Sequence, residues 1–506
     1  MTDRPEPAAT GGTSAEGAPA QAAPAPAAPP PPTGKKAARA PLAFMALLAA
    51  EIAAVAVLWT GFGYSESDVL WVFGTVLAVF TLQTAGALIG VRALRPSWKL
   101  LVSTQLLLFG AGVITYSIVA GAGAKAAGVG LVAALVPAPL LVGSFLWLSR
   151  HRHHGWKPLT FAFLWGAAVS TAVSMVVNTG AAYYFRENGI SENWAAVASA
   201  PVIEEITKFL APLAILLFAS RHIRNGLDAL VFAGLSAAGF AIVENVLYAS
   251  GTYLSGPSIY GEGTGGASVT LLVIVRGILT MFAHPLFTCT VAFGMAKAVG
   301  KPAGRRLLWS LTCLPFAMGL HALWNWSAVF GAQHGMADLF FSVYVALLMP
   351  LFFGLLGYAL AVRAKVAKLT YQRLQGFVAS GHVAPPEAAM LASYNRRARA
   401  RAWARRTGGS PGEKAMKRFQ RLGDAVADGT AYGTTREELT ARLTEMNELR
   451  RGHFLADPTM PVTVWDGRSY HVTFPDAKVR EVSGQGRDLM PIPVSAESVH
   501  RAAYGA

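Results

Sequence analysis

The sequence predicts an all-α polytopic integral membrane protein with about ten transmembrane helices. Both termini are expected in the cytoplasm, with a mostly disordered N-tail and a small mixed C-terminal region. Three observations predict this. Of 506 residues, 53% are hydrophobic and only 14% charged, and mean hydropathy is +0.41, far from the balance of a soluble domain. Apolar runs of membrane-spanning length recur along the chain. Basic residues fall on alternate loops, as they do on the cytoplasmic face of membrane proteins. The formal net charge of +15 is therefore read as this asymmetry, and no nucleic-acid partner is expected. Both cysteines, Cys289 and Cys313, sit in apolar runs, which argues against a disulfide framework or a thiolate zinc site.

Residues 1–40 include "PAQAAPAPAAPPPPTG" and read as a disordered tail. No cleavable signal peptide is read, and the run beginning near Pro41 reads as a retained first span. The expected spans are 41–62, 69–91, 100–122, 127–149, 158–183, 195–219, 227–250, 268–296, 307–330 and 338–363. Lys35, Lys36 and Arg39 precede the first. Arg92, Arg95 and Lys99 follow the second, Arg150, Arg152 and Lys157 the fourth, and Arg221 and Arg224 the sixth. Lys297, Lys301, Arg305 and Arg306 follow the eighth; Arg363, Lys365 and Lys368 follow the tenth. The opposite loops hold little beyond Lys125 and Arg186 among several acids. Four regions result: the tail 1–40, four spans in 41–155, a core with the last helix in 156–366, and a basic cytoplasmic region 367–506. Within that region "NRRARARAWARR" (395–406) is a basic run. Residues 435–454 read as an amphipathic helix and 462–474 as a hairpin around Asp466-Gly467. The region is expected beside anionic lipid, with docking of a cytoplasmic partner as the lesser reading.

Some polar residues do not belong in hydrocarbon. "APVIEEITKFLAPLAILLF" (200–218) places Glu204, Glu205 and Lys208 in one span. Each charge costs about 2.5–3.5 kcal/mol at mid-bilayer on the insertion scale. Lys208 is i+4 from Glu204 and i+3 from Glu205, so it shares a helix face with both. One lysine does not neutralise two carboxylates. Span seven adds Glu244 and Asn245, span eight Arg276 and His284, span nine His321 and Asn325. Glu204 lies about 15 Å below Trp194 at 1.5 Å per residue, and the other groups fall between the outer third and the midplane. Pro285, next to His284, is expected to kink its span. Imidazoles and a carboxylate around an open position are the ligand set of a catalytic zinc. Glu244, His284 and His321 are the expected ligands, with Glu204 or Glu205 as base and Asn325 as an oxyanion or orienting group. No HExxH motif is present.

"EEITK" (204–208), "FAIVE" (240–244) and the two intramembrane histidines resemble the PrsW family of intramembrane proteases, within the wider group of CAAX-type membrane proteases. The longer stretch "NGLDALVFAGLSAAGFAIVENVLY" (225–248) strengthens the likeness, which covers roughly residues 160–335. The resemblance implies proteolysis of membrane-anchored proteins, for example anti-sigma-factor-like regulators, at the cell membrane. It implies that Glu204 and Glu205 are the essential pair, Lys208 the motif lysine, Glu244 the second-motif glutamate, and His284 and His321 the histidine positions. Asn325 stands where the family pattern carries an aspartate, which favours an orienting role over metal ligation. The wider group also admits a metal-free mechanism, in which a glutamate activates water against a histidine. Three rivals remain. "GLSA" (234–237) offers Ser236 as a rhomboid-like nucleophile, although small residues of this kind ordinarily pack helices. Intramembrane carboxylates and histidines also build proton relays in transporters, and the chain could be an inactive scaffold.

Overall fold

The computed structural model describes residues 98–150, 154–255, 265–429 and 434–454, with strand residues 464–465, 470–473 and 479–482. The tail 1–40 and the expected spans 41–62 and 69–91 lie outside the described residues. Helix α1 (Trp98–Leu135) is not helical at Gly123, where φ is 76° and ψ 159°, a conformation open mainly to glycine. Its two arms, Leu106–Val119 and Gly121–Leu135, meet at 106°. After Pro137 the chain resumes as α2 (Ala138–Ser149). The two spans expected at 100–122 and 127–149 are thus one sharply bent helix and a short one.

The remaining helices follow the expected order. They are α3 (Trp156–Glu187), α4 (Ala200–Phe218), α5 (Gly226–Ser255), α6 (Gly266–Ala298), α7 (Ala303–Gln333) and α8 (Asp338–Ala379). Among the described residues, five helices are long and apolar enough to cross a membrane, or six if the bent pair of α1 is one span. Helix α4 is outside that group because it carries Glu204, Glu205 and Lys208 within 19 residues.

Helix α5 is the centre of the bundle: 89% of its apolar window is buried, against 6% for the peripheral α8. Small residues allow the approach. A Cβ on Gly166 would lie 1.8 Å from the Ser236 carbonyl oxygen, and one on Gly239 would lie 2.1 Å from that of Phe163. Gly166 belongs to a π-helical turn, Trp165–Ser170, inside α3. Close backbone contact of this kind is how helices associate where lipid removes the hydrophobic drive. The core around it includes Phe209, Leu213, Phe232, Leu235 and Met295.

Beyond the bundle, α8 runs on to Ala379, past the expected end at 363. Its last turns pack with α9 (Pro385–Leu391), α10 (Tyr394–Gly429) and α11 (Arg436–Leu449) around Leu374, Phe377, Leu391, Phe419 and Leu443. The basic run 395–406 is the first part of α10, with Ala400 and Ala404 buried. Arg397 is held by Asp424 and the Leu391 carbonyl. Strands β1 (Val464–Trp465), β2 (Tyr470–Thr473) and β3 (Val479–Val482) pair antiparallel in that order, with Trp465 opposite Tyr470 and Tyr470 opposite Val482. The expected hairpin is therefore present; its turn, 466–469, lies outside the described residues.

Candidate active site

Two helix breaks set the site. The expected continuous span 195–219 is interrupted at Ser199, after a short turn Ala195–Ala198, and α4 begins at Ala200 with Pro201 in its first turn. Glu204 therefore stands one turn into α4. The second break is in α6. A π-helical turn, Val273–Leu279, ends at Thr280, and a new helix starts at Ala283. The break precedes Pro285, which sits in the first turn of the new helix, where no backbone N–H is required. It frees the Leu279 carbonyl, which accepts the Tyr344 hydroxyl at 2.6 Å. It also delivers His284 at the start of a fresh helix.

Glu204 and Glu205 have different surroundings. Glu205 is fully buried and fully engaged. Lys208 Nζ is 2.6 Å from Oε1 and His321 Nδ1 3.0 Å from the same oxygen. The Thr288 hydroxyl donates to Oε2 at 2.7 Å. Glu204 is buried but lines a cavity. Its Oε1 accepts from the Asn178 amide at 3.2 Å, and Asn178 Oδ1 accepts from Ser199 at 2.9 Å. Among the described residues its Oε2 has no hydrogen-bond partner; it lies 3.6 Å from Lys208 Nζ and 3.8 Å from His321 Nε2.

Glu244 lies beyond His284. Its Oε2 is 2.6 Å from His284 Nε2 and accepts from Arg276 Nη2 at 2.8 Å. Arg276 also reaches Asn245 at 3.3 Å and stacks 3.9 Å over the Tyr248 ring. Phe240 lies 4.4 Å below Lys208 Nζ and 5.3 Å from the His284 ring. The two histidine rings are 5.2 Å apart, edge to face, and Phe287 stacks on His321.

All seven predicted residues thus belong to one neighbourhood, in different positions. Glu204, His284 and His321 are buried and each presents a donor atom within 4.8 Å of the others. Asn325 lines the cavity, and its amide donates to the Ala196 carbonyl at 2.6 Å, holding the turn before α4. Ser236 donates to the Lys208 carbonyl at 2.9 Å and is fully buried between helices. Asn178 and Thr288 are neighbours of the cluster, bonded to Glu204 and Glu205, that no sequence pattern singles out. Arg276 is out of place in an apolar run, but nothing in the sequence pairs it with Glu244. The signal for Asn178 was a lone amide in an apolar run, which has no partner until the chain folds.

The cavity has a volume of about 1010 Å³ and is lined by Asn178, Glu204, Glu244, Arg276, His284 and Asn325 together with Phe240 and Trp324. It also reaches Glu192, Asn193 and Ser255, at the end of the bundle where α3 joins α4. Imidazole nitrogens and a carboxylate with an orphaned, buried oxygen are the donor chemistry of a divalent cation. The surroundings agree: the carboxylates of Glu204, Glu205 and Glu244 are matched by two cationic side chains, Lys208 and Arg276, so the cluster accommodates further positive charge.

Residues 154–382 match the family model described as PrsW family intramembrane metalloprotease. The match takes in α3 to α8 and every residue of the cluster, and leaves out α1, α2 and α9 to α11. Comparison with curated proteins and with solved structures gave no match.

Proposed function

We propose that this chain, a multi-pass membrane peptide hydrolase whose residues 154–382 are a PrsW family intramembrane metalloprotease domain, cleaves membrane-anchored proteins at Glu204, His284 and His321. The observation that carries this is the convergence of those three donors, from α4, α6 and α7, beside a cavity large enough for a peptide segment. Zinc suits the donor set, and a bound zinc would supply an acidified water and polarise the scissile carbonyl.

The protein's own groups then divide the work. Glu205 orients: it accepts from His321 Nδ1, which leaves Nε2 directed to the Glu204 side. Glu244 lines the cavity and is the group placed to take a proton from water, with Arg276 and His284 fixing its Oε2. Ligand and base thus exchange between Glu204 and Glu244 relative to the expectation from sequence. Asn325 lines the cavity wall where a carbonyl oxygen would be held. The alternate-loop charge asymmetry supports a cavity mouth on the extracytoplasmic side, and the cell membrane is the proposed location. Anti-sigma-factor-like regulators with one membrane span are the proposed substrate class, and anionic lipid the proposed neighbour of the basic residues.

Purified protein is expected to carry near-stoichiometric zinc by elemental analysis, and His284→Ala is expected to lose it. A second reading has one observation in its favour: Lys208 Nζ already holds His284 Nδ1 at 3.1 Å, as it would if Glu204 activated water without a metal. Full activity in a zinc-free preparation would select that reading. The serine alternative has a separate outcome. Ser236→Ala is expected to retain full activity and to lose about 1 kcal/mol of stability, the worth of one hydrogen bond. Loss of cleavage with an unchanged melting temperature would reinstate Ser236.

A further inference from the structure

Lys208 stands inside the donor cluster rather than beside it. Its Nζ is 2.6 Å from Glu205 Oε1, 3.6 Å from Glu204 Oε2 and 3.1 Å from His284 Nδ1. The side chain is fully buried, with the Phe240 ring 4.4 Å away. An ammonium donates and never accepts. His284 therefore receives at Nδ1 and carries its proton on Nε2, where Glu244 Oε2 lies at 2.6 Å. Both nitrogens of His284 are engaged, while His321, among the described residues, has only Nδ1 engaged at hydrogen-bond distance. Among the described residues, His284 is the one of the three converging donors with both of its polar side-chain atoms held at hydrogen-bond distance.

Binding through Nδ1 would release Lys208, and binding through Nε2 would release Glu244; the Nδ1 side is the one that Glu204 shares. Glu204 Oε2 and His284 Nδ1 both lie within 3.6 Å of the ammonium, so an ion shared by those two residues contends with Lys208 for the same space. On leaving His284, Lys208 keeps its shorter contact to Glu205. Glu244 keeps Arg276 throughout.

We infer that Lys208 is the resident counter-ion of the Glu204–His284–His321 cluster, and that a divalent cation binds there by displacing its ammonium from His284. The inference rests on the metal reading above. It adds a role for the motif lysine: holding the donors together before loading and setting the affinity of loading. A unit charge a few ångströms from a divalent cation opposes binding by well over a factor of ten at protein-like dielectric.

The test is titration of metal-stripped, detergent-solubilised full-length protein with Co²⁺, read by visible absorption, on wild type, Lys208→Met and Lys208→Gln. The glutamine variant keeps a donor for Glu205 without the charge, should the methionine variant fail to fold. Wild type is expected to bind Co²⁺, and the neutral variants to bind it about tenfold or more tightly. Without metal the variants are expected to melt below wild type, with Co²⁺ closing the gap. Equal or weaker Co²⁺ binding by both variants, with wild type binding normally, would overturn the counter-ion role and leave the metal reading standing. Absence of Co²⁺ binding in wild type and variants alike would overturn the metal reading itself, and this inference with it.

Discussion

Glu204→Gln is expected to abolish proteolysis while leaving the protein folded. The substitution is isosteric, and the Asn178 amide still finds an oxygen acceptor at the side chain. What it removes is the charge on Oε2, the orphaned oxygen that faces Lys208 and His321. Losing one of the three converging donors would weaken or abolish binding of the ion, and with it the acidified water that cleavage needs. The measurement is membrane proteomics of cells producing wild type or variant: fragments of single-span proteins seen with wild type should vanish with Glu204→Gln, at equal protein level. Glu205→Gln should lose activity too, but differently. It removes a fully buried charge paired with Lys208 and His321, and breaking a buried pair from one side costs about 3–5 kcal/mol. Its melting temperature should fall, whereas that of Glu204→Gln should not.

Gly166→Ala is expected to have the largest structural effect of any glycine-to-alanine change among the described residues. The added Cβ would meet the Ser236 carbonyl oxygen at 1.8 Å, and the obstacle is backbone, not a side-chain end that can rotate away. Helices α3 and α5 must separate. Overpacking at such a contact costs about 3 kcal/mol, and here it also shifts Ser236, which is bonded to the Lys208 carbonyl. Activity should be lost together with thermal stability in detergent. Gly112→Ala, where a Cβ meets nothing within 4 Å, is the control and should melt as wild type.

These two substitutions mark what was legible in the sequence. The charged triplet in α4 was legible because polar residues in hydrocarbon demand compensation. The separation of Glu204 from Glu205 followed from their angular offset of about 100° on a helix. In the fold, one faces the cavity and the other is enclosed by Lys208, Thr288 and His321. The order of spans from 158 onward was legible from apolar run length. The breaks were legible only in part. Pro285 marks the break in α6, and Pro201 stands just after the one at Ser199, but their exact places, and the bend at Gly123, depend on distant partners such as Tyr344, which takes up the freed Leu279 carbonyl. Distance in sequence also hid the hydrogen bonds of Asn178 and the pairing of Arg276 with Glu244, 32 residues apart. The C-terminal region read as a solvated basic tail, since the apolar positions of α10 are mostly alanines scattered between arginines. Only the packing of Phe377, Leu391 and Phe419 gives it a core.

The most direct test of the central claim is cleavage by His321→Ala, purified and reconstituted with a single-span substrate recovered from the fragment survey. His321 is buried, touches Glu205 and lies beside Glu204, so its removal acts directly on the proposed centre. The account predicts that the variant stays folded, loses its bound zinc and yields no fragment at enzyme levels where wild type completes the reaction. Full cleavage by His321→Ala would contradict it.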